Sequence, residues 1–278
     1  MLANANRVMQ PLSDETFRGL TGLMYEAIGV SFADAKLPLV SSRLGPRIQR
    51  LGLAGFEEYL ALISGDDDAG EFQMAVDLLT TNETYFFREP AHFDLLQREL
   101  SGGRTGEVRV WSAASSFGDE AYSIAMLLSD LQQQGRIGPS WSVLGTDISD
   151  RVLRSAVEAI YPQERLRHVS AQSLRRYCLQ GEGDAAGFVK MRPCLTERVR
   201  FGQVNLCRPI ESLGPFDAVF LRNVLIYFDG PTKSQVVDRV LEHLRPDGLF
   251  FIGTAEGRVK CRTPLKALAP GAFRKCAG

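Results

Sequence analysis

Two hundred and seventy-eight residues exceed one small domain and suit two modest ones, at about 100–200 residues each. The chain is 45% hydrophobic and 23% charged, the balance of a folded globular protein, which excludes wholesale disorder. Thirty-two basic against thirty-three acidic side chains leave a net charge of −1, which argues against a protein that coats nucleic acid or an anionic membrane.

The opening MLANANRVMQ lacks the apolar core of a signal peptide. No uncharged apolar run approaches the roughly 18 residues that span a bilayer. No membrane insertion is expected, and the location is read as cytoplasmic. Residues 1–80 carry six basic and eleven acidic side chains, the remainder 26 and 22. That split fits either two separate units or chance scatter of surface charge.

The front of the chain reads as helical. Ser13 and Asp14 start a helix, and Phe17, Leu20, Met24 and Ile28 recur at helical spacing. A second stretch runs through Leu37, Val40, Leu44 and Ile48, with Gly45-Pro46 inside it, where proline predicts a kink or a break. Phe56 to Ile63 gives a third helix, Asp66-Asp67-Asp68 a solvated loop, and Phe72, Val76 and Leu79 a fourth helix. An all-helical domain is therefore expected over 1–80, followed by a second domain over 81–278.

From about residue 108 the period changes. VRVWSA (108–113), SVLGTDI (142–148), FDAVFLRN (216–223) and GLFFIGTA (248–255) are short apolar runs that alternate with helical stretches. That alternation predicts an α/β, doubly wound, Rossmann-like fold with a parallel sheet covered on both faces. Residues 173–204 break the rhythm. RRYCL, GFVKMRP and RVRFGQV are strand-like pieces around the turn GEGDAAG and predict a small antiparallel β insertion. The five cysteines (178, 194, 207, 261, 276) lack knuckle spacing, and the three histidines are scattered, so neither a disulfide framework nor a metal site is expected.

Ligands of doubly wound sheets bind beyond the carboxyl ends of the strands. The first strand here is followed by Ala113-Ala114-Ser115-Ser116-Phe117-Gly118-Asp119-Glu120, the second ends at Asp147, and the later one leads into Arg222-Asn223 and Ile226-Tyr227-Phe228. The three-glycine dinucleotide fingerprint is missing, and acids opening a helix compete with phosphate for its positive end. They suit a cationic ligand carrying adenosine, and S-adenosylmethionine has a ribose, an α-ammonium and a sulfonium with no phosphate. Asp147 at a strand end fits either a ribose-binding carboxylate or a helix cap.

NETYFFRE (82–89), WSAASSFGDEAYSIAM (111–126), TDIS (146–149), NL (205–206) and RNVLIYF (222–228) resemble, in order, the motifs of the chemotaxis receptor methyltransferases of CheR type. The resemblance covers nearly the whole chain. It implies methyl transfer from S-adenosylmethionine to glutamate side chains of chemoreceptors, giving glutamyl methyl esters and S-adenosylhomocysteine, with no metal. It assigns Asn82, Thr84 and Arg88 to the methionine part and the reacting centre, Ala113 and Asp119 to the first turn, and Asp147 to the ribose. Asn205 and Leu206 would flank the adenine, Arg222 and Asn223 would belong to the cofactor site, and Tyr227 would close it. Asn82 and Thr84 are also readable as helix caps, and Tyr227 as core packing. Phe117-Gly118-Asp119-Glu120-Ala121 stands where the family usually has Thr-Gly-Glu-Glu-Pro, which shortens one acid and adds a ring beside the turn.

A glutamate acceptor is ionised at neutral pH, so no general base is required, in keeping with motifs that contain no histidine. Arg88 is read as steering and orienting the acceptor, and Tyr227 as a donor that aligns one carboxylate oxygen. Arg43, Arg47 and Arg50 share one helix face, which fits either a contact to acidic receptor helices or a solvated surface. The resemblance further implies a receptor C-terminal peptide at the β insertion, and a monomer is expected. Two other readings stand beside it: a methyltransferase-like binding protein without turnover, and an S-adenosylmethionine methyltransferase for another substrate.

Overall fold

A computed structural model describes residues 10–65, 69–102, 106–211, 213–257 and 259–276, so the expected loop at Asp66-Asp67-Asp68 lies outside the described residues. The chain forms two compact units, one containing the residues up to Thr81 together with Tyr227–Asp229, the other Asn82–Ile226 and the residues from Gly230 onward.

In the first unit, α1 (Asp14–Ile28) begins where the Ser13 side chain accepts the Thr16 N–H at 3.1 Å and ends at Gly29, whose φ of 71° is easy only for glycine. Phe17, Leu20, Met24 and Ile28 are the buried stripe that the spacing predicts. α1 packs on α2 (Leu37–Leu51; Val40, Leu44 and Ile48 buried) and α3 (Phe56–Ser64; Phe56, Tyr59 and Ile63 buried), and α4 (Ala69–Leu79; Val76 and Leu79 buried) packs on α2 and α3. Of the kink or break expected at Gly45-Pro46, the break does not occur, and α2 runs through Pro46. Pro46 and Ser42 both lie on the exposed side, so water can replace the backbone donor that proline removes.

The expectation for the arginine face is corrected for two of its three members. Arg43 donates from Nη1 to the carbonyls of Leu79 (2.9 Å) and Thr80 (3.1 Å) and from Nη2 to Thr81 Oγ1 (3.0 Å). A cation at the carboxyl end of α4 meets the negative end of its dipole. Arg47 forks onto Glu71, Nε at 3.0 Å and Nη2 at 2.5 Å, and the Tyr59 hydroxyl donates to the same carboxylate at 2.8 Å. Glu71 is only 4% exposed, so these donors are what make its burial tolerable. Arg50 alone faces outward.

The second unit contains α5 (Pro90–Leu100), β1 (Val108–Ala113), α6 (Asp119–Gln133), β2 (Trp141–Asp147), α7 (Asp150–Glu158), β3 (Ile160–Pro162), α8 (Ala171–Tyr177), β4 (Cys178–Gln180) and β5 (Phe188–Met191). It continues with α9 (Pro193–Thr196), β6 (Val199–Gln203), β7 (Phe216–Leu221), α10 (Gly230–Glu242), β8 (Leu244–Ile252), β9 (Leu265–Ala269) and β10 (Ala272–Lys275). The main sheet has the order β6-β2-β1-β7-β8-β10-β9. Its first five strands are parallel, and every residue of β7 is buried, as expected for a strand covered on both faces. The strand order reverses at β1, which puts a crevice at the carboxyl ends of β1 and β7. The last two strands form an antiparallel hairpin on β8 that the sequence reading omits.

The insertion predicted over 173–204 is corrected at both ends. RVRFGQV contributes β6, which pairs parallel with β2 from Val143↔Val199 to Asp147↔Gln203. As an edge strand it is covered on one side only, and its mixed exposure imitates a hairpin strand. The small antiparallel sheet instead has the order β3-β5-β4 and recruits Ile160–Pro162. Its inward face carries Tyr161, Cys178, Val189 and Met191, all buried.

Substituting Arg47 by Met would leave the Glu71 carboxylate buried with Tyr59 as its remaining donor named above. We expect a loss of about 3 kcal/mol from the helical unit, against less than about 0.5 kcal/mol for Arg50→Ala, read by urea titration followed by circular dichroism.

Candidate active site

The loop after β1 is shaped by three left-handed residues, Ala114 (φ 66°), Ser116 (φ 51°) and Gly118 (φ 86°). Two of them are not glycine, a conformation that persists only when surroundings over-determine it. Those surroundings are explicit: Ser115 N–H donates to Thr146 O at 2.7 Å, Ser116 N–H to Asp147 Oδ2 at 2.8 Å, and Ser116 Oγ to the Asn82 carbonyl at 3.0 Å. At Gly118 a Cβ would lie 3.0 Å from both Ala156 Cβ and Phe201 Cζ, so a side chain there would crowd both neighbours as well as strain the backbone.

Asp147 ties together three strand ends. Its carboxylate accepts the Ser116 and Ser149 N–H groups (2.8 and 3.0 Å), and its carbonyl accepts Val204 N–H at 3.0 Å. Asn205 and Leu206 follow directly, Asn205 Oδ1 accepting Cys207 N–H at 2.9 Å and Leu206 being 8% exposed. Ala113, fully buried, sits opposite Thr146 in the sheet. The site candidates on β1, β2 and β6 therefore converge on one end of the sheet.

Asp119, the first residue of α6, is fully buried. Its Oδ2 pairs with Arg165 Nη2 at 2.6 Å, while its Oδ1 has no hydrogen-bond partner, nor does the buried Ser115 Oγ nearby in the chain. Burial pushes the Asp119 carboxyl up to about 6, against the opposing pull of Arg165. Sequence reasoning misses Arg165, because nothing local marks an arginine 46 residues from the acid it meets.

The other wall is organised by Arg222, whose side chain is 2% exposed. It reaches Glu120 at 2.9 Å, Glu89 at 3.4 Å and the Arg88 carbonyl. Glu120 also accepts from Ser112 Oγ at 2.7 Å. Burial holds its carboxyl above the ordinary range despite Arg222. At Glu89, burial acts in the same upward direction but is outweighed by Arg222, Thr254 N–H and Asn223, which leave that carboxyl low. The Arg222 guanidinium is thus bound within the protein. Asn223 (φ 58°) donates its N–H to Glu256 at 3.0 Å and its amide to Glu89 at 3.3 Å. Glu89 and Glu256 are further residues that the sequence reading passes over. An acid after GLFFIGTA is a strand-end signal of the same kind as Asp147.

Asn82, half-buried Thr84 and Arg88 lie on the segment between α4 and α5. Its two ends are fixed by the Asn82–Ser116 and Arg88–Arg222 hydrogen bonds, and Arg88 Nη1 donates to Glu83 O at 3.1 Å. Tyr227 belongs to the first unit, where its carbonyl accepts Ser31 N–H at 3.0 Å and neighbouring Asp229 accepts the Tyr25 hydroxyl at 2.7 Å. Among the described residues no group of three or more His, Cys, Asp or Glu side chains could hold a metal ion. No described helix is long and apolar enough to cross a membrane.

Residues 15–80 match the family model of the CheR methyltransferase all-alpha domain, and residues 82–269 that of the CheR methyltransferase SAM binding domain. The chain belongs to the CheR methyltransferase family. It is 43% identical over 246 residues to the chemotaxis protein methyltransferase of Escherichia coli, spanning 88% of this chain and 85% of that one. Identity to chemotaxis protein methyltransferase 2 of Pseudomonas aeruginosa is 41% over 250 residues, covering 88% and 87%. The relative from Borreliella burgdorferi is 31% identical over 273 residues, 94% of each chain.

The residues present fit S-adenosylmethionine. An ammonium donor matches the unpartnered Asp119 Oδ1, and the small residues of the β1 loop let backbone approach a ligand closely. A carboxyl raised by burial destabilises the ligand-free fold: between the unfolded value near 4 and about 6 the folded protein binds more protons, so stability falls as pH rises through that window. Asp119→Asn should therefore raise the melting temperature of the ligand-free CheR-family protein at pH 7. The gain is on the order of 2 kcal/mol. The same variant should bind S-adenosylmethionine at least tenfold more weakly by calorimetry.

Proposed function

We propose that this CheR-family protein transfers the methyl group of S-adenosylmethionine to glutamate side chains of chemoreceptors in the cytoplasm, forming glutamyl methyl esters. The observation that carries this reading is the buried Asp119 carboxylate with one oxygen unclaimed, at the switch point of a family-matched cofactor domain. Further support comes from the absence of any histidine at the motif positions. His92, which approaches Glu89 at 3.4 Å, is 1% exposed and directed at the Pro270 carbonyl. A carboxylate acceptor is already ionised at neutral pH and needs no base.

When bound, S-adenosylmethionine supplies an electrophilic methyl group on a sulfonium. The protein's part is to hold and align. Asp119 would accept from the ammonium and Asp147 from ribose hydroxyls, with Asn205 and Leu206 beside the adenine. Asn82, Thr84, Arg222 and Asn223 would frame the methionine part, the Arg222 guanidinium acting through Glu120 and Glu89 rather than by direct contact. Arg88 would steer the acceptor without a tight ion pair, since strong pairing would stabilise the ground state more than the transition state. Tyr227 would donate to one carboxylate oxygen and turn the other toward the methyl group. Orientation of this kind contributes on the order of 7 kcal/mol. A receptor C-terminal peptide would add to an edge of the small sheet.

Incubation with labelled S-adenosylmethionine and chemoreceptor membranes should give label that mild base releases as methanol. A base-stable label would overturn the glutamate assignment. Tyr227→Phe should lower turnover about tenfold, the equivalent of one hydrogen bond of about 1.4 kcal/mol, with cofactor affinity unchanged. Unaltered turnover would remove Tyr227 from the mechanism.

A further inference from the structure

One ion pair at the crevice involves a residue outside every motif. Arg165 lies in the single turn that follows β3, in the segment of the small sheet, yet its Nη2 stands 2.6 Å from Asp119 Oδ2. The guanidinium lies over the Phe117 ring, 4.8 Å from its centroid, and 5.6 Å from that of Tyr161. The Tyr161 hydroxyl donates to the Phe117 carbonyl at 2.8 Å, and the Arg165 carbonyl accepts Phe86 N–H at 3.4 Å. Ring faces, a backbone bond and an ion pair thus fix one guanidinium in place.

The consequence concerns the acid. A fully buried carboxylate without a cation takes up a proton and loses its value as an acceptor. Arginine stays charged at any working pH. It also occupies one oxygen only, so the carboxylate is held in one rotation with Oδ1 unpartnered. The other charged or titratable groups around this point are committed elsewhere. Glu120 of α6 turns to Arg222, and Asp147 of β2 to the Ser116 and Ser149 amides. Arg151 of α7 stands 5.6 Å from the Phe117 ring, and the Tyr161 phenol of β3 is raised well above its ordinary value by burial.

We propose that Arg165 is a positioning residue for the cofactor: its ion pair with Oδ2 keeps the Asp119 carboxylate charged and turned so that Oδ1 meets the α-ammonium group of S-adenosylmethionine. Phe117 is the shelf on which that guanidinium rests. The proposal rests on the cofactor reading above.

The test is the pH profile of S-adenosylmethionine binding to the full chain, by calorimetry between pH 5.5 and 7.5, each variant being compared with wild type at the same pH so that the partial loss of the ligand's α-amino proton near pH 7.5 cancels. Wild type should bind most tightly near pH 7 and more weakly as pH falls through about 6, while Asp119→Asn should be weak and show no fall through about 6. Arg165→Met should shift the fall upward by about one pH unit, giving about threefold weaker binding at pH 6.5, about eightfold at pH 5.5 and near-wild-type binding at pH 7.5. Arg165→Lys should stay within about threefold of wild type throughout. A structural ion pair would instead weaken binding by the same factor at every pH, and that result, or coincident profiles, overturns the proposal. If Arg165→Met does not fold, Phe117→Leu reads the same quantity: a smaller upward shift supports the proposal and an unmoved profile overturns it. Failure of wild type to bind at any pH would overturn the cofactor reading, and the proposal with it.

Discussion

The buried guanidinium of Arg222 is the constraint on which the catalytic unit depends. A guanidinium with 2% exposure needs partners inside the protein, and here those of its two Nη atoms come from different parts of the chain, while its Nε has none among the described residues. Glu120 opens α6, Glu89 precedes α5, and the Arg88 carbonyl belongs to the segment leading into that helix. Glu89 in turn accepts from Thr254 beyond β8 at 3.1 Å. The carboxyl ends of β7 and β8, the start of α6 and the 82–89 segment are therefore tied to one point. This explains why Phe87 and Glu89 hold left-handed backbone angles (φ 55° and 59°), since relaxing them would withdraw the Arg88 carbonyl and the Glu89 carboxylate from that point.

With that wall fixed, the two acids lining the opposite side divide their labour by environment. Asp147 accepts backbone amides through both oxygens, which makes it a rigid strut. Asp119 has one cation and one empty oxygen in a desolvated position. The same residue type is anchored through both oxygens in one place and through one in the other. The cation binding proposed at the start of α6 would follow from that difference, where a glycine-rich phosphate turn would need the reverse sign of charge.

Much of this was legible from residue patterns, and the failures have physical causes. The helical stripe of α1 and the alternation from Val108 onward state their burial directly, because periodicity records which face meets the core. Pro46 misleads because the cost of a missing donor depends on whether water reaches the orphaned carbonyl, which sequence does not tell. β6 misleads because an edge strand has the mixed polarity of a hairpin. β3 is missed because three residues hold no period. At the site, strand-end acids and the order of motifs pointed to Asp119, Asp147 and Asn223. Arg165, Glu89 and Glu256 act through contacts between distant segments, and only folding brings those partners together.

The small sheet leaves the main fold after α7 and returns by α9 to β6, and Met191 N–H bonds to the Ala159 carbonyl at 3.0 Å where the outgoing and returning chains meet. Such a narrow neck makes the segment an exchangeable cassette, since it can be lengthened or re-surfaced without altering the register of any parallel strand. Yet the cassette also carries the guanidinium that faces Asp119. On the proposed reading of Asp119, swapping the cassette between relatives would therefore replace the partner of that acid along with the surface.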